Sequence, residues 1–446
     1  MKKYFKYYST NLQWIEKIPF HWEIKRLKYI AQIQGGYAFK SDEFGDNGMD
    51  IIRIGDIASE INLENCKKST ESNIPIEFKT RKSDTLIALS GATVGKMCFL
   101  ENDLDAYINQ RVARVTNGTK WLHYVLNSEY IISQIKLAAG GSAQENISNA
   151  DIGKFFIPMP PQSEQTAITN YLDQKTTQID KLISNKQKLI ELLKEERTAV
   201  INEAVSRGLK ARETLIPSGI DYIGLIPHTW TLRRLSTLGE FFKGRGIKKD
   251  ETIEAGLPCI RYGEIYTKYD RIVQDTFSFI NIESSLNSVL IKRGSMLFAG
   301  SGETVEDIGK AVVYLGETQC FAGGDIIVFN FQEDLDPIYA SFLINAPIVQ
   351  YQKTLAGKGE IIVHIYPKNI REIVIPLPPL KEQLKISKYL EEQTNSITIS
   401  ISKIEKEISL LHEYRTALIS EVVTGKMDVR NYKEQINEPL QIAAEP

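Results

Sequence analysis

The chain is poor in the residues that carry most redox and metal chemistry, with four cysteines and five histidines in 446 positions. Cys66, Cys98, Cys259 and Cys320 lie far apart and form no C-x-x-C pair, so they read as free, buried thiols of a reducing cytoplasm. His21, His123, His228, His364 and His412 show no metal-ligand spacing, and no metal site is expected. No apolar run approaches the roughly 20 residues that cross a bilayer. Met1-Lys2-Lys3-Tyr4-Phe5-Lys6-Tyr7-Tyr8 is charged but leads into no apolar stretch, which argues against a secretory signal. A cytoplasmic protein with no membrane contact is expected. A basic excess is lacking too. The formal net charge is -2, with +2 over residues 1–160 and -3 over 221–378. A surface for a polyanion must therefore be local, balanced by acids on other faces.

Catalytic signatures are equally thin. Phe298-Ala299-Gly300-Ser301-Gly302 has the F-x-G-x-G outline of an adenine methyltransferase cofactor loop. A similar stretch earlier in the chain, Ile87-Ala88-Leu89-Ser90-Gly91, lacks the first glycine, and no Asn/Asp-Pro-Pro-aromatic motif accompanies either. Gly91-Ala92-Thr93-Val94-Gly95-Lys96-Met97 is one residue short of a phosphate loop and lacks its Ser/Thr. No catalytic residue and no cofactor is assigned to this chain.

What is present is an internal repeat. Ile18-Pro19-Phe20-His21-Trp22 returns as Ile226-Pro227-His228-Thr229-Trp230, and Ile52-Arg53-Ile54-Gly55-Asp56-Ile57 as Ile260-Arg261-Tyr262-Gly263-Glu264-Ile265. Leu86 to Val94 matches Leu297 to Val305, and Gly95-Lys96 matches Gly309-Lys310. Each half closes on a proline block: Ile157-Pro158-Met159-Pro160-Pro161-Gln162-Ser163-Glu164-Gln165 against Ile375-Pro376-Leu377-Pro378-Pro379-Leu380-Lys381-Glu382-Gln383. A whole unit, module plus helix, has been duplicated.

The proline blocks open two long stretches free of Gly and Pro, as helix starts do. Ile168, Leu172, Ile179, Leu182, Leu189 and Leu193 recur at heptad spacing in the first, and Ile386, Leu390, Ile397, Ile404, Leu411 and Leu418 in the second. Lys175, Lys186, Glu196, Val200, Gln393, Ser400, Glu407 and Tyr414 fill the intermediate positions. The seams are best buried against each other, as an antiparallel coiled coil. The modules read as mixed α/β (α+β), with strands expected at 50–54, 85–88, 112–115, 297–299, 311–315 and 326–331. The organisation is a first module over 1–160, a spacer helix over 161–207 and a linker over 208–220. A second module follows over 221–378, then a C-terminal spacer helix over 379–424 and a tail over 425–446.

Glycine-rich loops with cations, hydroxyls and amides suit phosphate and base contacts, against the plainer reading of tight turns. In the first module the candidates are Gly36, Tyr37, Lys40, Arg53, Ser90, Thr93, Lys96, Gln110 and Arg111. In the second they are Lys243, Arg245, Lys248, Arg261, Ser301, Thr304 and Lys310.

The paired I-P-x-x-W openings, Gly35-Gly36-Tyr37-Ala38-Phe39-Lys40, Ser90 to Lys96, Asn109-Gln110-Arg111 and both P-x-P-P-x-x-E-Q blocks together resemble the specificity subunit of Type I restriction-modification systems. The resemblance covers all but the tail after about Arg430. It implies two target-recognition domains that each read half of a split site in double-stranded DNA, spaced by antiparallel helices. It also implies docking to methylation subunits, two being expected, and to restriction subunits. S-adenosylmethionine, ATP and Mg belong to those partners. Phe241 to Gly246 differs from Ile33 to Ala38, and Gly323-Gly324-Asp325 stands near the place of Asn109-Gln110-Arg111, so the two half-sites are expected to differ. An interaction scaffold that reads no DNA, and a fused restriction or methylation enzyme, are the alternatives.

Overall fold

A computed structural model describes residues 2–432, apart from 59, 72, 117, 141–144, 211–213, 248, 333–334 and 360–361. Tail positions from 433 and the candidate Lys248 lie outside the described residues. Two compact units emerge: Met1–Lys186 with Glu405–Pro446, and Gln187–Ile404.

In the first unit an antiparallel sheet has the order Gln32–Gly35, Val112–Thr116, Thr85–Ala88, Met97–Phe99. All four residues of Thr85–Ala88 are buried because both faces of the strand are covered. Ile87 points toward Trp121, Val125 and Ile131 of the helices Lys120–Leu126 and Glu129–Ala139. Leu86 and Ala88 point the other way, onto Ile52, Ala106 and Ile108. Those three belong to a second sheet, in which Met49–Ile52 runs parallel to Ala106–Ile108 and antiparallel to Lys67–Ser69.

The second unit repeats the plan. Gly239–Lys243, Ile326–Phe331, Met296–Ala299, Ala311–Tyr314 and Ile272–Val273 form a five-stranded sheet. Met296 and Phe298 pack on Tyr339, Phe342 and Val349 of two helices, Pro337–Leu343 and Pro347–Ala356. Leu297 and Ala299 pack on Ile260, Cys320 and Ala322 of a four-stranded sheet. The fold is mixed α/β as expected, and every strand anticipated from the sequence coincides with or overlaps an observed one. The stretch read as a linker contains a strand of its own, Leu215–Pro217, paired with Leu225–Pro227.

The long helices are Gln162–Arg207 and Leu380–Val423. Each ends before a glycine with positive φ, Gly208 (77°) and Gly425 (72°), a conformation that closes helices at little steric cost. In the first unit they run in opposite directions: Asp180 pairs with Arg415 (3.1 Å), and Lys186, further along, pairs with the earlier Glu407. In the second unit Ala204 packs with Ile386 and Leu390, while Arg197 shares a crevice with Thr394 and Thr398, again antiparallel.

The seam departs from the expected heptad positions at four places. Leu189 is 44% exposed, and Ile190 is buried in its stead. Ile168, Leu172 and Ile179 are buried, Leu182 and Leu193 only partly, and Thr176 and Ile183 occupy inner positions assigned to neighbours. At Thr176, Ile183 and Ile190 the buried stripe of the first helix thus lies one residue on from the expected positions. In the second helix Ile386, Leu390, Ile397, Ile404, Leu411 and Leu418 are all buried, and Thr394 replaces Gln393 between them. Ile190→Ala is therefore expected to cost about 2 kcal/mol, and Leu189→Ala under about 0.5 kcal/mol, measured by chemical denaturation. Equal costs would restore the heptad phase.

The repeated motifs build the joints between module and helix. In the first unit Trp22 Nε1 donates to Glu164 Oε2 (2.9 Å), Tyr4 Oη donates to the same oxygen (3.1 Å), and His21 Nε2 lies 2.6 Å from Oε1. Arg430, beyond the second helix, reaches Glu164 at 3.8 Å and Asp428 at 2.8 Å. A Cβ on Gly425 would stand 2.4 Å from Pro19 Cδ and 3.1 Å from the Trp22 ring, so the helix end needs glycine to sit on that motif. The second unit has Gly208 in the same relation to Trp230 (3.3 Å) and Glu382 (3.2 Å).

Candidate nucleic-acid interface

In the first module the strand ends bring separate loops together. Tyr37 N–H donates to Ile108 O (2.8 Å), and Gln110 N–H donates back to Tyr37 O (2.8 Å). Asn109 N–H reaches Ile52 O beside Arg53 (3.0 Å), and Leu89 N–H reaches Arg111 O beside Ser90 (2.9 Å). Lys96 O accepts from Ala88 N–H (2.9 Å), at the same strand end. Gly36, Tyr37, Arg53, Ser90, Thr93, Lys96, Gln110 and Arg111 are thus gathered at one end of the two sheets. Lys40 is exposed nearby in sequence, 4.0 Å from Glu43.

The glycines do a different job from the one their composition suggests. Gly36 N–H is already bonded to Val112 O (3.0 Å), Gly244 N–H to Ile326 O (2.7 Å), and Gly91 N–H to Glu145 O (2.9 Å). These amides are not available to hold phosphate. A Cβ at Gly36 would lie 2.3 Å from the Ile108 and Asn109 carbonyls, and one at Gly244 2.0 Å from Gly323 O. Close approach of two backbones is what requires glycine here.

Side chains at the cluster divide by what they touch. Arg53 and Arg261 each cap the turn that follows, their N–H groups bonded to Asp56 (2.8 Å) and Glu264 (2.9 Å) and their guanidinium groups beside the same acids. Ser90 is fully buried and accepts from Arg111 Nη1 (3.2 Å). Thr93 Oγ1 lies 3.4 Å from Ser90 O. Gln110 and Arg111 are exposed and line an open hollow with Asn146, Ser148 and Asn149.

The second module repeats the scaffold with other side chains. Gly324 N–H donates to Gly246 O (2.9 Å), Gly323 N–H to Ile260 O (2.9 Å), and Gly300 N–H to Asp325 O (2.6 Å). Lys243, Arg245, Arg261 and Ser301 are therefore brought to one end. Ser301 is buried, with its hydroxyl 2.9 Å from His364 Nδ1. Thr304 is exposed and folds onto Asp307 (3.5 Å). Lys310 departs from expectation: its ammonium turns inward onto the carbonyls of Tyr269 (2.8 Å) and Tyr266 (3.5 Å), and burial lowers its pKa from the usual lysine value. It braces the module and is withdrawn from the candidate surface.

One segment escaped the sequence reading. Asn146 bridges to Ser90, and Val363–His364 pairs with Ser301–Gly302, so the stretch before each proline block enters the cluster. Its exposed or half-exposed side chains are Asn146, Ser148 and Asn149 in one module, His364 and Tyr366 in the other. The signal was available: Asn146 to His364, like Ile157 to Ile375, is a step of 218 residues, flanked by buried Ile147 and Ile365. Among the described residues no group of His, Cys, Asp or Glu is arranged to hold a metal ion, and no helix is long and apolar enough to cross a membrane.

Comparison with known proteins gives this geometry its context. The chain is 21% identical over 448 aligned positions to the Type I restriction enzyme MjaVIII specificity subunit of Methanocaldococcus jannaschii, covering 93% of this chain and 95% of that one. It is 22% identical to the EcoKI specificity subunit of Escherichia coli (strain K12), over 92% and 90%. Among solved structures, a chain described under assembly and conformational transition of the type I R-M system superposes with a TM-score of 0.68 at 15% identity, covering 92% of this chain and 99% of that one. The HsdS subunit from Thermoanaerobacter tengcongensis gives 0.51 at 16% identity, over 92% and 98%. The family described as Type I restriction modification DNA specificity domain matches twice, over residues 19–193 and 227–410, one match to each module with its helix. The chain belongs to that family, as a specificity subunit of a type I restriction-modification system.

Proposed function

We propose that this chain selects a bipartite, asymmetric DNA sequence, one half through each module, and contributes no catalytic group. The observation that carries the reading is a shared scaffold with divergent tips. The loop clusters share three backbone pairings (Gly36 to Val112 with Gly244 to Ile326, Asn109 to Ile52 with Gly323 to Ile260, Leu89 to Arg111 with Gly300 to Asp325), yet Arg111 and Asn146 stand in one where Asp325 and His364 stand in the other. Conserved framework with altered side chains at the exposed end is what two different base readers require. Methylation subunits, two of them, dock on the long helices, and restriction subunits join them. S-adenosylmethionine, ATP and Mg act on those partners.

Two weak modules on a stiff spacer gain affinity only where both half-sites fit the separation and rotational phase. Inserting about one helical turn into the spacer is expected to lengthen the preferred gap, read from oligonucleotides selected out of a random pool; an unchanged gap rejects the ruler. The function itself is tested by long-read methylation mapping in cells carrying the chain with its cognate methylation subunit. A split motif methylated in both halves only when the chain is present is the expected result. A stable complex that marks no motif would favour a scaffold.

A further inference from the structure

We propose that Arg111 reads a guanine in the half-site of the first module, with Ser90 as its positioning residue. The inference rests on the DNA-reading function above and assigns one base contact within it.

Two arginines three residues apart show the contrast. Arg114 is 3% exposed, lies 3.6 Å from Asp84, and donates to Gln34 Oε1 (2.8 Å) and to the carbonyls of Glu77 (2.6 Å) and Lys79. Its donors serve the fold. Arg111 is exposed, and among the described residues no carboxylate lies within 4 Å of its guanidinium. Among the described residues its guanidinium bonds only to the Ser90 hydroxyl, at 3.2 Å. That hydroxyl is fully buried in a strand-end loop pinned by the Ser90–Asn146 bridge, so it fixes one edge of the guanidinium and leaves the other donors facing the hollow. The walls there are amides and hydroxyls: Gln110, Asn146, Ser148 and Asn149. A planar cation braced from behind and facing outward, without an internal counter-charge, suits the paired O6 and N7 acceptors of guanine in the major groove. A phosphate contact would not require the brace, because phosphate accepts from many directions.

The second module lacks this device. Asp325 occupies the corresponding place, its carbonyl accepting from Gly300 N–H as Arg111 O accepts from Leu89 N–H. Its buried serine, Ser301, holds His364 instead. The guanine contact therefore belongs to one half-site.

The test uses the chain assembled with its methylation subunit and duplexes carrying the motif that methylation mapping returns. Replacing each guanine in turn by 7-deazaguanine is expected to weaken wild-type binding about 5- to 100-fold at one position of one half-site. Arg111→Ala should bind the guanine and 7-deazaguanine duplexes equally, and should accept other base pairs at that position alone. Ser90→Ala should keep the preference in diminished form. A motif with no G·C pair, or wild-type indifference to every 7-deazaguanine, overturns the assignment. So does an Arg111→Ala defect uniform across sequences with a salt slope reduced by about one, which marks a phosphate contact. A wild-type assembly without sequence preference defeats the DNA-reading function itself.

Discussion

Glu164→Ala is expected to destabilise the first unit by about 3–5 kcal/mol, the range for removing one partner from a buried charged network. Glu164 is 7% exposed and stands in the first turn of the first long helix, where a carboxylate also favours the helix dipole. Its removal leaves the Trp22 indole N–H and the Tyr4 hydroxyl without their acceptor, each a loss of about 1–3 kcal/mol when buried. Burial, then the Glu164 charge, holds the Tyr4 phenol proton more firmly than usual, so the hydroxyl stays a donor throughout the neutral range. Arg430 keeps Asp428, which limits the damage on that side. Glu164→Gln retains an acceptor oxygen and should cost less than half as much. Thermal unfolding measures the loss, and hydrogen exchange should show Tyr4 to Tyr8 and Gly425 to Arg430 released together. A change below about 1 kcal/mol for the alanine variant would mean that the joint is held by Pro19, Trp22 and Gly425 packing alone.

That joint also shows what a sequence makes legible. The I-P-x-x-W and P-x-P-P-x-x-E-Q blocks stand out because each occurs twice, and in each unit the tryptophan seats the glycine that ends a long helix, although among the described residues the Trp22–Glu164 hydrogen bond has no counterpart at Trp230. Their role is not visible in one dimension, since Trp22 and Glu164 are 142 residues apart. Strands such as Thr85–Ala88 and Ile326–Phe331 are readable because burial on both faces forces continuous apolar runs. The helix phase is less readable: Leu189 and Ile190 are adjacent and both apolar, so the pattern of apolar residues alone does not decide which one turns inward. The candidate surface is least legible of all. Asn146 and His364 occupy the same place with unrelated chemistry, and the match survives only in buried neighbours such as Ile147 with Ile365 and Ile152 with Ile370. Positions selected to differ between modules cannot be found by looking for what the modules share.

Lys353→Met is expected to stabilise the second unit at neutral pH and to remove a pH dependence that the first unit lacks at the equivalent place. In sequence Lys353 looks like one solvated position of the helix Pro347–Ala356. In the fold it has no exposed surface, and Nζ donates to Gly309 O at 2.9 Å. The first unit has Ile135 packed against Gly95 where Lys353 packs against Gly309. Burial depresses the Lys353 ammonium to about 7, with Asp307 opposing weakly. An unfolded lysine titrates near 10.4. Below pH 7 both states bind the proton and the folded state carries the whole cost of the buried charge. Between about 7 and 10.4 the unfolded chain binds more protons, so stability rises with pH, by roughly 3–5 kcal/mol as an upper figure. Methionine keeps the length of the side chain and removes the charge, but leaves Gly309 O without its donor, a loss of about 1–2 kcal/mol. The variant should therefore be about 2 kcal/mol more stable at pH 6–7, a difference that shrinks with rising pH and reverses at about pH 9–9.5. Buried thiols such as Cys320 titrate with the opposite slope, so the quantity to follow is the difference between variant and wild type across the series. A difference that stays flat from pH 6 to 10 would show that the ammonium keeps its proton in both states, with the Gly309 carbonyl compensating for its burial.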